Sequence, residues 1–84
     1  MLKINLFASL REQLGVASLD LELPEGVGTV GELSDYLAHT KGDDWRVLSD
    51  STQVLIAVNQ EVAKPETAIS ANSEVAFFPP MTGG

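Results

Sequence analysis

Hydrophobic and polar residues alternate along several short stretches of the chain, which is the pattern of strands that bury one face. The alternation at residues 2–8 and Ser18–Leu23 predicts two strands, and the short link between them favours an antiparallel hairpin. Gln53–Val58 is apolar on both faces, which predicts a central strand that is covered on both sides. Glu61–Val62 is expected to pair briefly, and Glu74–Phe78 forms the last predicted strand.

One stretch in the middle of the chain has the signature of a long helix. Thr29 and Glu32 form a capping box, in which the threonine hydroxyl accepts from an early helical amide while the glutamate reaches back. Apolar residues at helical spacing mark the buried stripe, which comprises Val30, Leu33 and Leu37. Gly42 supplies the stop. A further helical turn is expected at Ser9–Leu14, closed by Gly15.

The order strand, strand, helix, strand, short strand, strand predicts the fold class. It indicates an α+β domain of the β-grasp, or ubiquitin-like, arrangement, with a mixed sheet of four to five strands and one principal helix. A hairpin followed by only one long helix favours this fold over a ferredoxin-like alternative. Asp43–Ser49 has no clear period, and Trp45 within it is expected to cover the core. We expect the domain to span residues 1–78, with residues 79–84 as an extended, flexible tail.

Composition excludes several kinds of partner and chemistry. Twelve acidic and five basic residues give a formal charge of −7, which argues against nucleic acid as a partner and suits docking on a basic surface. Cysteine is absent and His39 is the single histidine. The chain therefore has no disulfide framework, thiolate zinc site, cysteine nucleophile or catalytic triad, and no metal site is expected.

No segment of the sequence has the pattern of a membrane anchor or a secretory leader. The longest aliphatic run, Val54–Val58, is far below the about 20 residues that a bilayer span needs. Lys3 and Asn5 interrupt what would be the apolar stretch of a signal peptide. We therefore expect a cytoplasmic protein.

A glycine motif precedes the predicted long helix but does not indicate a nucleotide site. Gly26, Gly28 and Gly31 give a literal G-x-G-x-x-G after a strand, and such a loop can hold a pyrophosphate. No doubly wound sheet accompanies it, and Glu25 and Glu32 would repel phosphates. We therefore interpret the glycines as part of a turn and a helix start.

The most informative segment is the end of the chain, which reads Phe-Phe-Pro-Pro-Met-Thr-Gly-Gly at residues 77–84. Pro79 and Pro80 lack an amide donor and fix φ, so they stop strand pairing and hold the following residues extended. Gly83 and Gly84 have no Cβ and can pass through a channel too narrow for other residues. The segment is therefore expected to present the α-carboxylate of Gly84 on a stalk.

Three stretches of the sequence resemble the small, sulfur-carrier subunits of molybdopterin synthase. They are residues 3–12, residues 57–60 (Ala-Val-Asn-Gln), and Glu-Val-Ala-Phe-Phe-Pro-Pro at residues 74–80 leading to Thr-Gly-Gly at 82–84. Thiamine-pathway sulfur carriers share the fold and the Gly-Gly ending but typically lack the Phe-Phe-Pro-Pro run. The resemblance spans the whole chain, and its last eleven residues are the most specific part.

The resemblance implies a mechanism in which Gly84 is the working group. A ubiquitin-activating-like adenylyltransferase, using ATP and Mg²⁺, would convert the Gly84 carboxylate to an acyl-adenylate, and a sulfur derived from a persulfide donor would then leave a thiocarboxylate. The large subunit of molybdopterin synthase would receive the tail and pass the sulfur to a cyclic pterin phosphate precursor. The resemblance further implies a heterotetramer, catalytic side chains on the large subunit, and a non-catalytic carrier with no bound cofactor.

A docking face for this partner can be predicted from strand alternation. If Val75 and Phe77 point to the core, Phe78 points outward, onto the face that carries Phe7. We expect partner binding by Phe7, Val62 and Phe78, with Arg11 at the rim. The residues expected to thread into the partner are Pro79, Pro80, Met81, Thr82 and Gly83. The alternative is that Phe78 is buried beneath residues 43–49.

Two further classes of function stay open on the sequence. A thiamine-type sulfur carrier, or a ubiquitin-like modifier conjugated through Gly84 to lysines of other proteins, would use the same activation chemistry. A non-covalent β-grasp adaptor would tolerate deletion of Gly83 and Gly84. Accumulation of larger conjugates in cells separates the modifier from the carriers.

Overall fold

The computed structural model describes residues 1–50 and 54–80, and their strands form one mixed sheet. The strands are β1 (Leu2–Leu6), β2 (Ser18–Leu21), β3 (Leu55–Val58), β4 (Glu61–Ala63) and β5 (Glu74–Phe78). Their spatial order is β2-β1-β5-β3-β4. β1 and β5 pair in parallel, and every other neighbouring pair is antiparallel. This is the predicted β-grasp arrangement, and the fold class is confirmed.

The inner face of the sheet packs against α2 (Val30–Lys41), the principal helix. β5 supplies the centre of the core, because both Val75 and Phe77 are fully buried. The 3₁₀ segment Asp43–Ser49 closes one side of the core with Trp45 and Leu48, as expected of that ambiguous stretch. Among the described residues, no helix is long and apolar enough to span a membrane.

Local hydrogen bonds set the ends of the helices where the sequence predicts them. The Glu32 amide donates to Thr29 Oγ1 over 3.2 Å, which confirms the predicted cap, and the Glu32 carboxylate reaches back one residue further than in a standard capping box, because Gly28 N donates to its Oε1 over 2.9 Å. α1 (Ala8–Leu14) is the predicted helical turn, extended by one residue. Gly15 ends it in the left-handed region, with φ of 73°.

The prediction of a central strand at Gln53–Val58 is correct in that β3 has a neighbouring strand on each side, but it is wrong about where the strand begins and about the cover on its outer face. Position 53 lies outside the described residues, and β3 begins at Leu55. β5 is the middle strand of the sheet, whereas β3 lies between β5 and the short edge strand β4. Leu55 is 49% exposed because no layer of the described chain covers that face of the sheet. The apolar side chains on the outer face of β3 are therefore not explained by burial within the described chain.

Both strands of the first hairpin are shorter than predicted. β1 stops at Leu6, and β2 stops at Leu21 rather than at residue 23. Ala8 has φ of 52°, a left-handed conformation that turns the chain from β1 directly into α1. β1 and β2 pair antiparallel with Leu2 opposite Leu21, which confirms the predicted hairpin.

A tight turn at Asn59 and Gln60 joins β3 to β4. Both residues have positive φ, 51° and 71°, as a two-residue hairpin turn with the right-handed strand twist requires. The turn also holds the start of β5, because Glu74 N donates to Asn59 Oδ1 over 2.9 Å and Asn59 N donates to Glu74 O over 2.8 Å. The brief pairing predicted for β4 is confirmed, with Ala57 opposite Val62.

Candidate partner-binding face and tail exit

The outer face of the sheet carries an apolar cluster at the end where β5 finishes. Side chains of β5 alternate as predicted, with Val75 and Phe77 buried and Phe78 half-buried on the other face. The register places Leu55 opposite Phe78 and Ala57 opposite Ala76. We call Phe7, Leu55, Ala57, Val62, Ala76 and Phe78 the outer apolar cluster.

Phe7 and Phe78 stack face to face within this cluster. Their ring centroids lie 4.6 Å apart and the rings are within 5° of parallel. The backbone supports the pair, because Phe7 N donates to Phe77 O over 3.2 Å and so continues the pairing of β1 with β5 past Leu6. Phe7 remains 41% exposed. The alternative in which residues 43–49 bury Phe78 is therefore wrong.

An apolar groove of about 490 Å³ lies on the β4 side of the Phe78 ring. Leu55 and Val62 line it, and Val62 is 96% exposed, so its side chain makes almost no contact within the described chain. Exposed aliphatic and aromatic side chains gathered in one place are typical of a surface that a partner covers. Three of the predicted partner residues thus lie on one face.

Arg11, the fourth predicted partner residue, lies on the exposed side of α1. It lines neither the apolar groove nor the second groove on the other side of Phe78. The structure therefore groups Phe7, Phe78 and Val62, and leaves Arg11 outside the two grooves.

The chain leaves the sheet directly beside the outer apolar cluster. β5 ends at Phe78, Pro79 is half-buried, and Pro80 is exposed. Neither proline has an amide hydrogen, so the ladder to β3 and β1 cannot continue through them. The predicted site residues Met81, Thr82, Gly83 and Gly84 lie outside the described residues.

Leu55, Asn5 and Glu74 belong to this face, although no local pattern in the sequence indicates it. Leu55 alternates with Val54 and Ile56, which are buried, and that alternation was hidden because all three residues are apolar. Asn5 and Glu74 are joined across the sheet by a hydrogen bond of 3.1 Å from Asn5 Nδ2 to Glu74 Oε2. No local sequence pattern indicates that contact, because the two residues are brought together only by the parallel pairing of β1 and β5.

Other candidate sites in the sequence have ordinary structural roles. The Glu32 carboxylate accepts from Gly28 N at the start of α2, so the glycine motif presents a negative group where a phosphate would need donors. His39 is exposed near the end of the same helix. Within residues 1–50 and 54–80, no group of three acidic or histidine side chains could hold a metal ion.

Residues 4–84 match the model of the ThiS family. The chain belongs to the ThiS family. It is 38% identical to a protein of Haemophilus influenzae named molybdopterin synthase sulfur carrier subunit, and 34% identical to a protein of the same name from Escherichia coli, with both chains covered completely in each case. The resemblance found in the sequence is therefore confirmed.

Solved structures with similar sequences share the fold. The crystal structure of SAMP1 from Haloferax volcanii, a small archaeal modifier protein, superposes with a TM-score of 0.79 and 30% identity, covering 99% of this chain and 98% of that one. A putative molybdopterin converting factor subunit from Pyrococcus furiosus gives a TM-score of 0.73 at 26% identity, covering 95% of this chain and 97% of the other. The ThiS family member described here thus has relatives named as sulfur carriers and as a protein modifier.

Proposed function

We propose that this protein is the sulfur carrier of molybdenum cofactor biosynthesis and acts as the small subunit of a cytoplasmic molybdopterin synthase. The observation that carries the proposal is its full-length similarity to proteins named molybdopterin synthase sulfur carrier subunit. The outer apolar cluster beside the tail exit supports it, because a carrier must hold its partner near the group that it delivers.

The proposed chemistry uses the α-carboxylate of Gly84 and no side chain of the carrier. That carboxylate attacks the α-phosphorus of ATP, bound with Mg²⁺ on the adenylyltransferase, and pyrophosphate leaves. The outer sulfur of a donor persulfide then attacks the acyl carbon of the adenylate and AMP leaves; a thiol next cleaves the resulting acyl disulfide, forming a disulfide with the donor's inner sulfur and releasing the thiocarboxylate, so one carboxylate oxygen is replaced by sulfur. Gly84 is the carrier group, and the absence of cysteine from the chain is consistent with chemistry on the main chain.

Sulfur delivery takes place in the large subunit under this proposal. Phe7, Val62 and Phe78 dock on that subunit, Arg11 contacts it at the rim, and residues 79–83 carry Gly84 into its active site. The thiocarboxylate donates its sulfur to the cyclic pterin phosphate precursor, and water restores the carboxylate. The catalytic side chains belong to the large subunit, which pairs into a heterotetramer with one carrier at each end.

A protein modifier conjugated through Gly84 is the second candidate function. The observation that favours it is the structural similarity to a small archaeal modifier protein at 30% identity. Both functions begin with adenylation of the tail. They differ in the acceptor, which is a sulfur nucleophile for the carrier and a lysine amine for the modifier.

Complementation separates the candidates. The intact chain should restore molybdoenzyme activity to a bacterial strain that lacks its own molybdopterin synthase small subunit, and the chain without Gly83 and Gly84 should not. It should not restore growth without thiamine to a strain that lacks the thiamine-pathway carrier. Restoration by the truncated chain, or restoration only of thiamine synthesis, would contradict the proposal. Slower-migrating conjugates in the complemented strain would show a modifier function.

A further inference from the structure

A second groove, of about 350 Å³, lies on the other side of the Phe78 ring from the apolar groove. Its aromatic wall is the Phe7–Phe78 stack, and its polar end is formed by Asn5, Gln60 and Glu74. The floor is shallow because Ala57 and Ala76, which face each other across β3 and β5, have only methyl side chains. The groove therefore has a carboxylate at one end and two stacked aromatic rings along its wall.

The carboxylate in this groove is held by two sets of contacts. The backbone of Glu74 is fixed in both directions by Asn59, through the hydrogen bonds of 2.9 Å and 2.8 Å described above. Its side chain accepts from Asn5 Nδ2 at Oε2. The second carboxylate oxygen, Oε1, has no hydrogen-bond partner in the part of the chain that the structure describes. A preorganised acceptor thus remains available to a donor from outside.

The cation nearest in register makes no ion pair with this carboxylate within the described residues. Lys3 lies opposite Glu74 in the pairing of β1 with β5, but no ion pair joins them within residues 1–50 and 54–80. Lys3 also lies opposite Asp20 on its other neighbour, β2. The charge of Glu74 is therefore not balanced by an ion pair within the described fold, in a chain whose formal charge is already −7.

We propose that Glu74 and the Phe7–Phe78 stack form a binding site for an arginine side chain of the large subunit. The inference rests on the proposed function. A guanidinium is planar, has donors in a fork that fits a carboxylate, and stacks on aromatic rings, whereas a lysine ammonium is compact and strongly hydrated. A groove that offers a carboxylate at one end and an aromatic wall at its side fits the arginine on both counts. The net negative charge of the carrier likewise favours a positively charged partner surface.

Glu74→Gln is the main test, with Glu61→Gln as its matched control. Both variants lose one negative charge, but Glu61 is exposed on β4 and lines neither groove. A glutamine at position 74 can still accept from Asn5, so both variants should keep their melting temperature. In titration calorimetry with the large subunit at physiological salt, Glu74→Gln should raise Kd about 10- to 100-fold, and Glu61→Gln less than about threefold. The same Kd for both variants would overturn the proposal.

A double-mutant cycle tests whether the carboxylate and the aromatic wall hold the same group. Phe7→Leu keeps the apolar character of the position and removes the ring stack. If one arginine contacts both groups, the two substitutions should not act independently. The Kd of the double variant Glu74→Gln, Phe7→Leu should then be at least about threefold lower than the product of the two single fold-changes predicts. In the control cycle of Glu61→Gln with Phe7→Leu, the two single fold-changes in Kd should multiply. Multiplicative effects in both cycles would contradict a shared arginine.

Failure of this inference is distinguishable from failure of the proposed function. A wild-type carrier that binds the large subunit, with Glu74→Gln no weaker than Glu61→Gln, removes the arginine site and leaves the carrier function intact. A wild-type carrier that does not bind the large subunit at all would overturn both.

Discussion

Phe77 and Phe78 are adjacent in sequence but have opposite environments. Phe77 is fully buried at the centre of the core, whereas Phe78 is half-buried on the outer face and stacks on Phe7. Strand alternation alone predicts this division. It also predicts that one ring stabilises the fold and the other is available to a partner.

Alanine substitution should separate these two contributions. Phe77→Ala should lower the free energy of unfolding by about 3–5 kcal/mol, because it leaves a cavity in the core. Phe78→Ala should lower it by less than half of that amount, yet raise Kd for the large subunit about tenfold or more. Urea denaturation and titration calorimetry measure the two quantities. A Phe78 variant that binds with wild-type affinity would remove Phe78 from the docking face.

Gln60 has a conformation that suits glycine better than glutamine. Its φ of 71° lies in the left-handed region. The Asn59-Gln60 turn differs from the favoured Asn-Gly hairpin sequence only at this second residue. Gln60→Gly should therefore raise the free energy of unfolding by about 0.5–1 kcal/mol, since the relief of strain exceeds the entropic cost of glycine. Gln13→Gly, in the regular helix α1, is the matched control and should lower it by a similar amount. Destabilisation by both substitutions would show that the turn carries no such strain.

Among the elements, the helices were the easiest to predict because their signals are local. The capping box of α2 and the glycine that ends α1 act on their own turns, and both were found where expected. β3 is harder to predict, because an all-apolar strand gives no alternation and its pattern predicts burial for Leu55, which is exposed on the outer face. Burial on that face depends on what covers the sheet, which a local pattern does not contain.

The cap of α2 makes a measurable contribution to stability. Thr29→Ala should lower the free energy of unfolding by about 1 kcal/mol, because the amide of Glu32 loses its acceptor. Thr40→Ala is a suitable comparison, since Thr40 is exposed near the other end of the helix and its hydroxyl donates to Tyr36 O. We expect that substitution to change stability by less than about 0.5 kcal/mol. Thermal denaturation of the two variants measures the difference, and equal losses would argue against the cap.

At the level of the whole molecule, the fold assigns different tasks to the two sides of the sheet. α2 and the 3₁₀ segment bury the inner face, whereas the outer face keeps its apolar cluster exposed at the end from which the chain leaves. The sequence was sufficient to predict the β-grasp and three of the residues on the outer face. It could not predict the groove around Glu74, because that groove requires residues about 70 positions apart to meet through the parallel pairing of β1 with β5.

The central claim is that the Gly84 carboxylate carries sulfur, and the mass of the intact protein is its sharpest test. The chain is incubated with ATP, Mg²⁺, a sulfide source and a cognate adenylyltransferase, and release of pyrophosphate shows that the enzyme is active. Exchange of one oxygen for sulfur should raise the mass by about 16 Da, and the gain should disappear when Gly84 is deleted. An unchanged mass while pyrophosphate is released would contradict the claim.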